Sequence, residues 1–569
     1  MIQSLRVYLV SIIAVAAPFY GAPAIWAAEA VTAEANRLAE VVFLSQQDRG
    51  DPFNDVVLDV VFTTPKREKV QVPAFWSGER TWRVRYSSSQ VGEHPFRTVC
   101  SDASDKGLHD VSGKVEVRPY RGDNPLYRHG PIRVASGHRH FEYADGTPFF
   151  WLGDTWWMGL CERLKWPDEF KTLAADRRDK GFNVIQIVAG LYPDMGAFDE
   201  RGRNEAGFPW QRDYRRIRPE YFDKADERLL YLVDRGFVPC IVGAWGYHLP
   251  WLGVERMKKH WRYLAARYGA LPVVWCVAGE VNLPYYLEKG FPKGGEKQTA
   301  EWEKVIRYLR KINSFGRLIT VHPTGLPPLS GRALYKDQGL LDFDMLQTGH
   351  GGQQDLAPTV RALRASYDAR PTMPVVNGEV CYEALLGRIP AEIVRLMFWA
   401  DVLSGAAGHT YGANGIWQLN RKDKPYGKSP HGGDYGPIPW DEAMKLPGSG
   451  QLGQAKRLLE KYPWHRFEPH PEWATWKETK GAARDEFLVP YAAGIPGTIR
   501  VVYLPRPLAV TVHKLESNKR YTASFFDPAS GRRTENGPIR PDDQGDWAQP
   551  PPQNAWNDWI LLLEASSKK

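Results

Sequence analysis

Hydrophobic and polar positions follow three different rhythms along the chain. From about residue 31 to 125, runs such as VVLDVVFTTP, KVQVPAFW, TWRVRYS and GKVEVRPY alternate apolar and polar side chains, with Gly, Pro, Asp and Ser between them. A period of two broken by turn formers is the pattern of half-buried strands. It predicts an N-terminal β-sandwich of the immunoglobulin-like kind, followed by the turn-rich linker YRGDNPLYRHGP. Between about 135 and 465, short apolar runs alternate with longer amphipathic stretches. The candidate strands are FFWLGDTWW (149–157), FNVIQIVA (182–189), FVPCIVGAW (237–245), VVWCVAGE (273–280), LITVHP (318–323), DMLQTGH (344–350), PVVNGEV (374–380) and GHTYGANGIW (408–417). Segments such as WPDEFKTLAADRRDKG, FDKADERLLYLVDRG and VERMKKHWRYLAARYG lie between them and end in Gly, as helices with a C-cap glycine do. Eight strand–helix units predict an α/β architecture, a (β/α)8 TIM barrel. A doubly wound sheet shares this periodicity, but no Gly-rich phosphate loop follows any strand. From 468 to 569 the period of two returns in TIRVVYLP, LAVTVHKL, RYTASFFDP and DWILLLE, which predicts a second, C-terminal β-sandwich.

The first residues follow none of these rhythms. Arg6 precedes an apolar stretch that ends in small residues at Ala27, Ala28 and Ala30. That order is a secretory signal peptide over 1–28, and it predicts a secreted or periplasmic protein. No later segment is apolar enough to span a membrane, so no membrane association is expected once the signal is removed. Composition narrows the partners. The 569 residues include five cysteines, an odd number with no zinc-site spacing, so neither a disulfide scaffold nor a metal is expected. No cofactor motif is present. The formal net charge of +8 is dispersed rather than gathered into a basic stripe, which argues against nucleic acid and suits an acidic polysaccharide. Twenty-two tryptophans are many for core filling alone, and flat apolar sugar faces are one class of partner that such rings stack on. Nothing in the sequence fixes the oligomeric state.

In a barrel of this kind chemistry sits at the C-terminal strand ends. Strand one ends in Asp154, Trp156 and Trp157, and strand two offers Gln186. Strand three ends in Trp245, Tyr247 and His248, and strand four in Glu280 and Asn282. Strand five offers His322; strand six ends near Gln347 and His350. Strand seven ends in Glu379 with Tyr382 and Glu383 beyond, and strand eight gives His409, Tyr411, Asn414 and Trp417. Strands four and seven end alike, an apolar run followed by Gly279-Glu280 and Gly378-Glu379. Two carboxylates facing each other across a barrel mouth can flank one glycosidic bond, one protonating the leaving oxygen and the other attacking the sugar. The bland alternative is a structural ion pair for either glutamate. For Asp154 the choice lies between a substrate hydroxyl and a turn or helix cap. For the tryptophans it lies between sugar stacking and loop packing, and for the histidines and Asn282 between sugar contact and structural bonding.

These residues also carry a resemblance. HRHFEYADGTPFFWLGDTWW, RRDKGFNVIQI, VVWCVAGEVN, MPVVNGEVCYEAL and SGAAGHTYGANGIWQ resemble the motifs of apiosidase-like catalytic barrels, glycoside hydrolase family 140 and its relatives. DPFNDVVLDVVFTTP and VPAFWSGERTWRVRYSSSQVGEH are similar to the β-sandwich that often precedes such barrels. FFDPASGRRT and DWILLLE resemble a C-terminal domain that carries a collagenase collagen-binding name. The resemblance implies a member of the retaining clan with acids on strands four and seven. Glu379 would be the nucleophile and Glu280 the acid/base. Two positions depart from the pattern. The wider clan places Asn before the acid/base where this chain has Gly279, and family 140 places Asp where it has Glu280. The expected function is a retaining glycoside hydrolase acting on a polysaccharide or its side chains. The rivals are an inverting or endo-acting glycanase on the same barrel and a non-catalytic glycan-binding protein.

Overall fold

The computed structural model of the chain describes residues 31–289, 295–477, 486–553 and 557–567; the signal peptide expected over 1–28 lies outside them. Its centre is an eight-stranded parallel sheet: β1 (Trp151–Trp156), β2 (Val184–Val188), β3 (Val238–Val242), β4 (Val274–Cys276), β5 (Ile319–Thr320), β6 (Asp344–Gly349), β7 (Val375–Val380) and β8 (Gly408–Tyr411). The strand order is β5-β4-β3-β2-β1-β8-β7-β6, a nearly closed barrel. Side chains on both faces of these strands are buried, which is why the sequence shows apolar runs rather than alternation. Helices Asp168–Asp179, Pro219–Asp234, Val254–Tyr268, Gly295–Ile312, Leu356–Asp368, Ala391–Leu403 and Pro447–Leu459 follow every strand but β5. The chain after β5 reads PTGLPPLSG, whose prolines cannot supply helical N–H donors, and it forms only short 3-10 turns. Here the ladder is also interrupted. β5 and β6 meet through single bonds, Asp342 N–H to the Ile319 carbonyl at 2.8 Å and Thr320 Oγ1 to the Phe343 carbonyl at 3.0 Å.

Two elements differ from expectation. The run FFWLGDTWW is not one strand. Pro148–Phe149 pairs instead into a three-stranded sheet with Ile132–Val134 and Phe141–Tyr143, and β1 starts at Trp151. β4 is short, ending at Cys276, because the chain beyond it turns between its neighbours. The Gly279 N–H reaches the Ala244 carbonyl at 3.0 Å, and the Val281 N–H reaches the His322 carbonyl at 2.9 Å.

The N-terminal domain packs a five-stranded sheet on a three-stranded one around its own core. It is anchored by buried charge. Arg85 and Arg267 share Asp226, and Arg85 also bonds the carbonyl of Arg267 at 2.9 Å. The predicted linker is packed rather than loose. Asn124 caps the helical turn Pro125–Arg128, accepting the Leu126 N–H at 3.0 Å, and Leu126 is buried. The C-terminal domain, a six-stranded and a three-stranded sheet, has a core of its own between the sheets and packs the other face of the six-stranded sheet into the barrel core. Tyr503 stacks on Trp399, and Arg395 forks onto Asp558 at 2.6 and 2.9 Å.

Candidate active site

Glu280 sits four residues past β4 with φ +42°, a left-handed conformation that a non-glycine side chain adopts only when its surroundings impose it. The backbone bonds on either side of it, to β3 and to the chain after β5, are the imposing structure. The residue before it has to be glycine. A Cβ on Gly279 would fall inside the indole of Trp245. That ring, lying against the glycine, directs its Nε1–H to Glu280 Oε2 at 3.0 Å. Gly378 is matched in the same way: a Cβ there would stand 2.6 Å from Met345 Cγ.

Both carboxylates lie at one cavity of about 190 Å³, lined also by Trp157, Asp194, Trp245, Tyr286, Gln347, His350, Tyr382, Trp417, His431 and Tyr435. A single side chain connects them. Gln347 Nε2 donates to Glu280 Oε1 at 3.2 Å and to Glu379 Oε1 at 3.1 Å, so those oxygens stand at most 6.3 Å apart, the sum of the two bonds. An amide directs its two hydrogens about 120° apart, and bonds of these lengths along both directions put the oxygens about 5.5 Å apart.

The environments of the two acids differ. Burial alone would raise Glu379, but the histidines against it prevail and hold it well below the usual carboxylate range. His350 Nε2 donates to Oε1 at 2.8 Å, and His322 Nε2 lies 3.2 Å from Oε2, within ion-pair reach though not aligned as a hydrogen bond. Glu280 moves the other way. Burial raises it, the charge of Glu379 raises it further, and His322 together with the bonds from Trp245 and Gln347 only partly opposes this. The site therefore holds one carboxylate favoured ionised and one favoured protonated, the division of labour an acid and a nucleophile need.

The predicted positions separate clearly. Glu280, Glu379, Trp157, Trp245, His350, Tyr382 and Trp417 line the cavity, together with Gln347. The others serve the barrel beneath it. Asp154 is wholly buried, bound to Arg177 at 2.6 Å and to the Trp156 Nε1–H at 2.6 Å, and neither Asp154 nor Trp156 lines the cavity. Gln186 spends its amide on the carbonyl of Gly378 at 2.9 Å. His248 bonds the Tyr192 carbonyl at 2.9 Å in a separate small cavity, where burial pushes it down to about 4. Asn282 braces the loop after β5 by accepting the Thr324 N–H at 3.0 Å. Tyr411 donates to Glu383 at 2.6 Å, and His409 pairs with buried Asp401 at 2.9 Å. His322 is fully buried under the site, against Glu379 and the rings of Trp157 and Trp245.

Four polar or aromatic cavity residues escaped the sequence reading: Asp194, Tyr286, His431 and Tyr435. Asp194 stands six residues past β2, a strand-end carboxylate that the same rule would have flagged. Burial pushes its carboxyl up to about 7, with Glu280 adding to the rise and the Tyr435 hydroxyl, 3.2 Å from Oδ1, opposing it. The other three lie in long loops without periodicity. Among the described residues no cluster of His, Cys, Asp and Glu could hold a metal ion.

Comparison with known proteins gives the family and the fold. Residues 32–101 match a domain family of unknown function, and residues 497–564 match a family named for the collagen-binding domain of a collagenase. A glycoside hydrolase of family 5 from Bacteroides vulgatus superposes with a TM-score of 0.66 at 23% identity, over 79% of this chain and 96% of its own. A second Bacteroides vulgatus protein, described as a candidate glycoside hydrolase, superposes with a TM-score of 0.65 at 19% identity, over 94% of this chain and 100% of its own. At these identities the likeness carries the fold. No curated protein matches the chain in sequence. Residues 135–466, more than half of the chain and all of the barrel, match the apiosidase-like catalytic domain, and the chain belongs to that family of glycoside hydrolases.

Proposed function

We propose that this glycoside hydrolase works by double displacement with retention, on a polysaccharide or its side chains. Glu379 attacks the sugar and forms the glycosyl-enzyme. Glu280 first protonates the departing oxygen and then, as a carboxylate, takes a proton from the water that releases the sugar. The observation that carries this reading is the shared amide of Gln347. Carboxylates bonded to one nitrogen at 3.1 and 3.2 Å lie near the separation of about 5–5.5 Å that retention uses, and short of the roughly 6.5–9.5 Å that leaves room for an inverting water. The opposed protonation of the two acids supports the same assignment. Trp157, Trp245 and Trp417 offer faces for sugar rings at the mouth. The signal-like N-terminus supports export to the periplasm or beyond.

The test is sugar release from a panel of pectic, hemicellulosic and arabinan-type glycans by wild type and Glu379→Gln side by side. Release by wild type that falls at least about 1000-fold in the variant is expected, since covalent catalysis loses its nucleophile. Equal release by both would overturn the assignment. No release by wild type, with glycan binding unchanged in Glu379→Gln, would make the site a binding site.

A further inference from the structure

Gln347 does more than lie between two acids. It projects from β6 at the barrel mouth, is 4% exposed and lines the cavity. Its Nε2 hydrogens are both committed, one toward each glutamate. Two acceptors on that side fix which way the amide faces, because its carbonyl oxygen turned toward them would meet like charge. Oε1 is consequently directed elsewhere, and it is buried without a hydrogen-bond partner. A buried acceptor left open in the free protein is a place for a donor to arrive. Asn282 is engaged with Thr324, and Gln186, whose NH2 goes to Gly378 and whose own Oε1 is also open, does not line the cavity, so Gln347 carries the open amide oxygen at the mouth. Position 279 has no side chain to offer, since Trp245 occupies the space. Gln347 bonds Glu379 at 3.1 Å, so a sugar whose reacting carbon faced Glu379 would bring the hydroxyl of its neighbouring ring carbon toward this amide.

We propose that Gln347 is a positioning residue of the reaction: its NH2 group sets the spacing of the two carboxylates, and its open carbonyl oxygen accepts the sugar hydroxyl next to the reacting carbon. This rests on the two-carboxylate reading above. The groups facing Glu280 come from every side of the mouth: Glu379 on β7, His322 after β5, His350 after β6, Asp194 after β2, Tyr247 after β3, Tyr286 after β4 and Tyr435 after β8. Gln347 is the uncharged member that touches both acids. Loss of its donor withdraws a bond that favours ionised Glu280, so the proton stays on that carboxyl to higher pH.

The full-length chain carrying Gln347→Met, similar in shape but unable to donate, tests this. On the glycan that wild type cleaves, kcat/KM should fall about 100-fold, mainly through kcat, because a transition-state contact and the carboxylate spacing are lost together. The basic limb of the pH profile should move up by about half a unit. A substrate-free readout runs alongside: carboxyl titration by NMR of protein carrying carbon-13 glutamate, with the Glu280 signal assigned by Glu280→Gln. The Glu280 midpoint should rise in Gln347→Met. If that variant does not fold, Gln347→Glu keeps the shape, sets a third carboxyl against the pair, and should raise the midpoint further. Kinetics within two-fold of wild type with an unmoved midpoint would overturn the proposal. Undiminished activity of Glu379→Gln in the same assay would instead mark failure of the two-carboxylate reading.

Discussion

At the residue scale, two glutamates with the same side chain are driven apart by what touches them. Glu379 faces two imidazoles and an amide; Glu280 faces an indole, the same amide and the negative charge of Glu379. The sign of the pH dependence follows. Under the proposed mechanism activity needs Glu379 ionised, and its carboxyl is held down, so the acid limb should lie below the ordinary carboxylate range. Activity also needs Glu280 protonated for the first step, and its carboxyl is pushed up, so the basic limb should lie above that range. The dependence of kcat/KM on pH checks both. Glu280→Gln should lose about 10²–10⁴-fold and, on a substrate with a good leaving group, lose the basic limb as well. A basic limb that persists unchanged in that variant would assign it to another group, with Asp194 the first candidate.

At the element scale, the site depends on how strands end. The sequence showed that β4 and β7 finish in Gly-Glu, and this was enough to find both carboxylates. It did not show why. Gly279 is a packing requirement of Trp245, a residue 34 positions earlier on the neighbouring strand's end, and such a contact leaves no periodic trace. The strand residues that lie off the cavity share a cause. Asp154, Trp156, Gln186 and Tyr411 all belong to the strands, but the first two and Tyr411 contact the helix Asp168–Asp179 outside the barrel while Gln186 reaches across it to Gly378. A strand-end rule does not distinguish these directions from the one that faces the mouth. Asp194, Tyr286, His431 and Tyr435 were missed because loop geometry, not hydrophobic pattern, brings them to the mouth. Gly279→Ala tests the packing account. The added methyl must displace the Trp245 ring and with it the Nε1–H bond to Glu280, so activity should drop about 10–100-fold, with thermal stability falling as for other overpacked positions, by about 1–3 kcal/mol. Wild-type activity and stability in this variant would show that the indole does not position the acid.

At the scale of the whole molecule, the two flanking domains hold the barrel in different ways. One face of the C-terminal six-stranded sheet continues the apolar core around Trp399 and its helix, and each flanking domain also keeps a core of its own. The N-terminal sandwich meets the barrel through aromatic contacts such as Phe75 with Tyr263 together with an ion cluster. Asp226 is the centre of that contact. Burial opposes its ionisation, but Arg267 and Arg85 outweigh burial and bring its carboxyl down to about 2 from 3.8. A depressed carboxyl stabilises above its unfolded value, so this contribution is present at neutral pH and lost as pH falls from about 4 to 2. Asp226→Asn should cost about 3–5 kcal/mol in denaturant unfolding by leaving two arginines poorly paired. A loss below about 1 kcal/mol would mean that the apolar rim, not the ion cluster, carries this interface. Across all three scales the structure serves one arrangement, a pair of carboxylates held by a common amide, on which the proposed double displacement rests. The most direct test is the anomeric configuration of the sugar at the moment of its release, followed by proton NMR before mutarotation. Double displacement through Glu379 predicts a first-formed product with the configuration of the bond that was cut. A first-formed product of the opposite configuration would contradict it and make the reaction a single displacement by water.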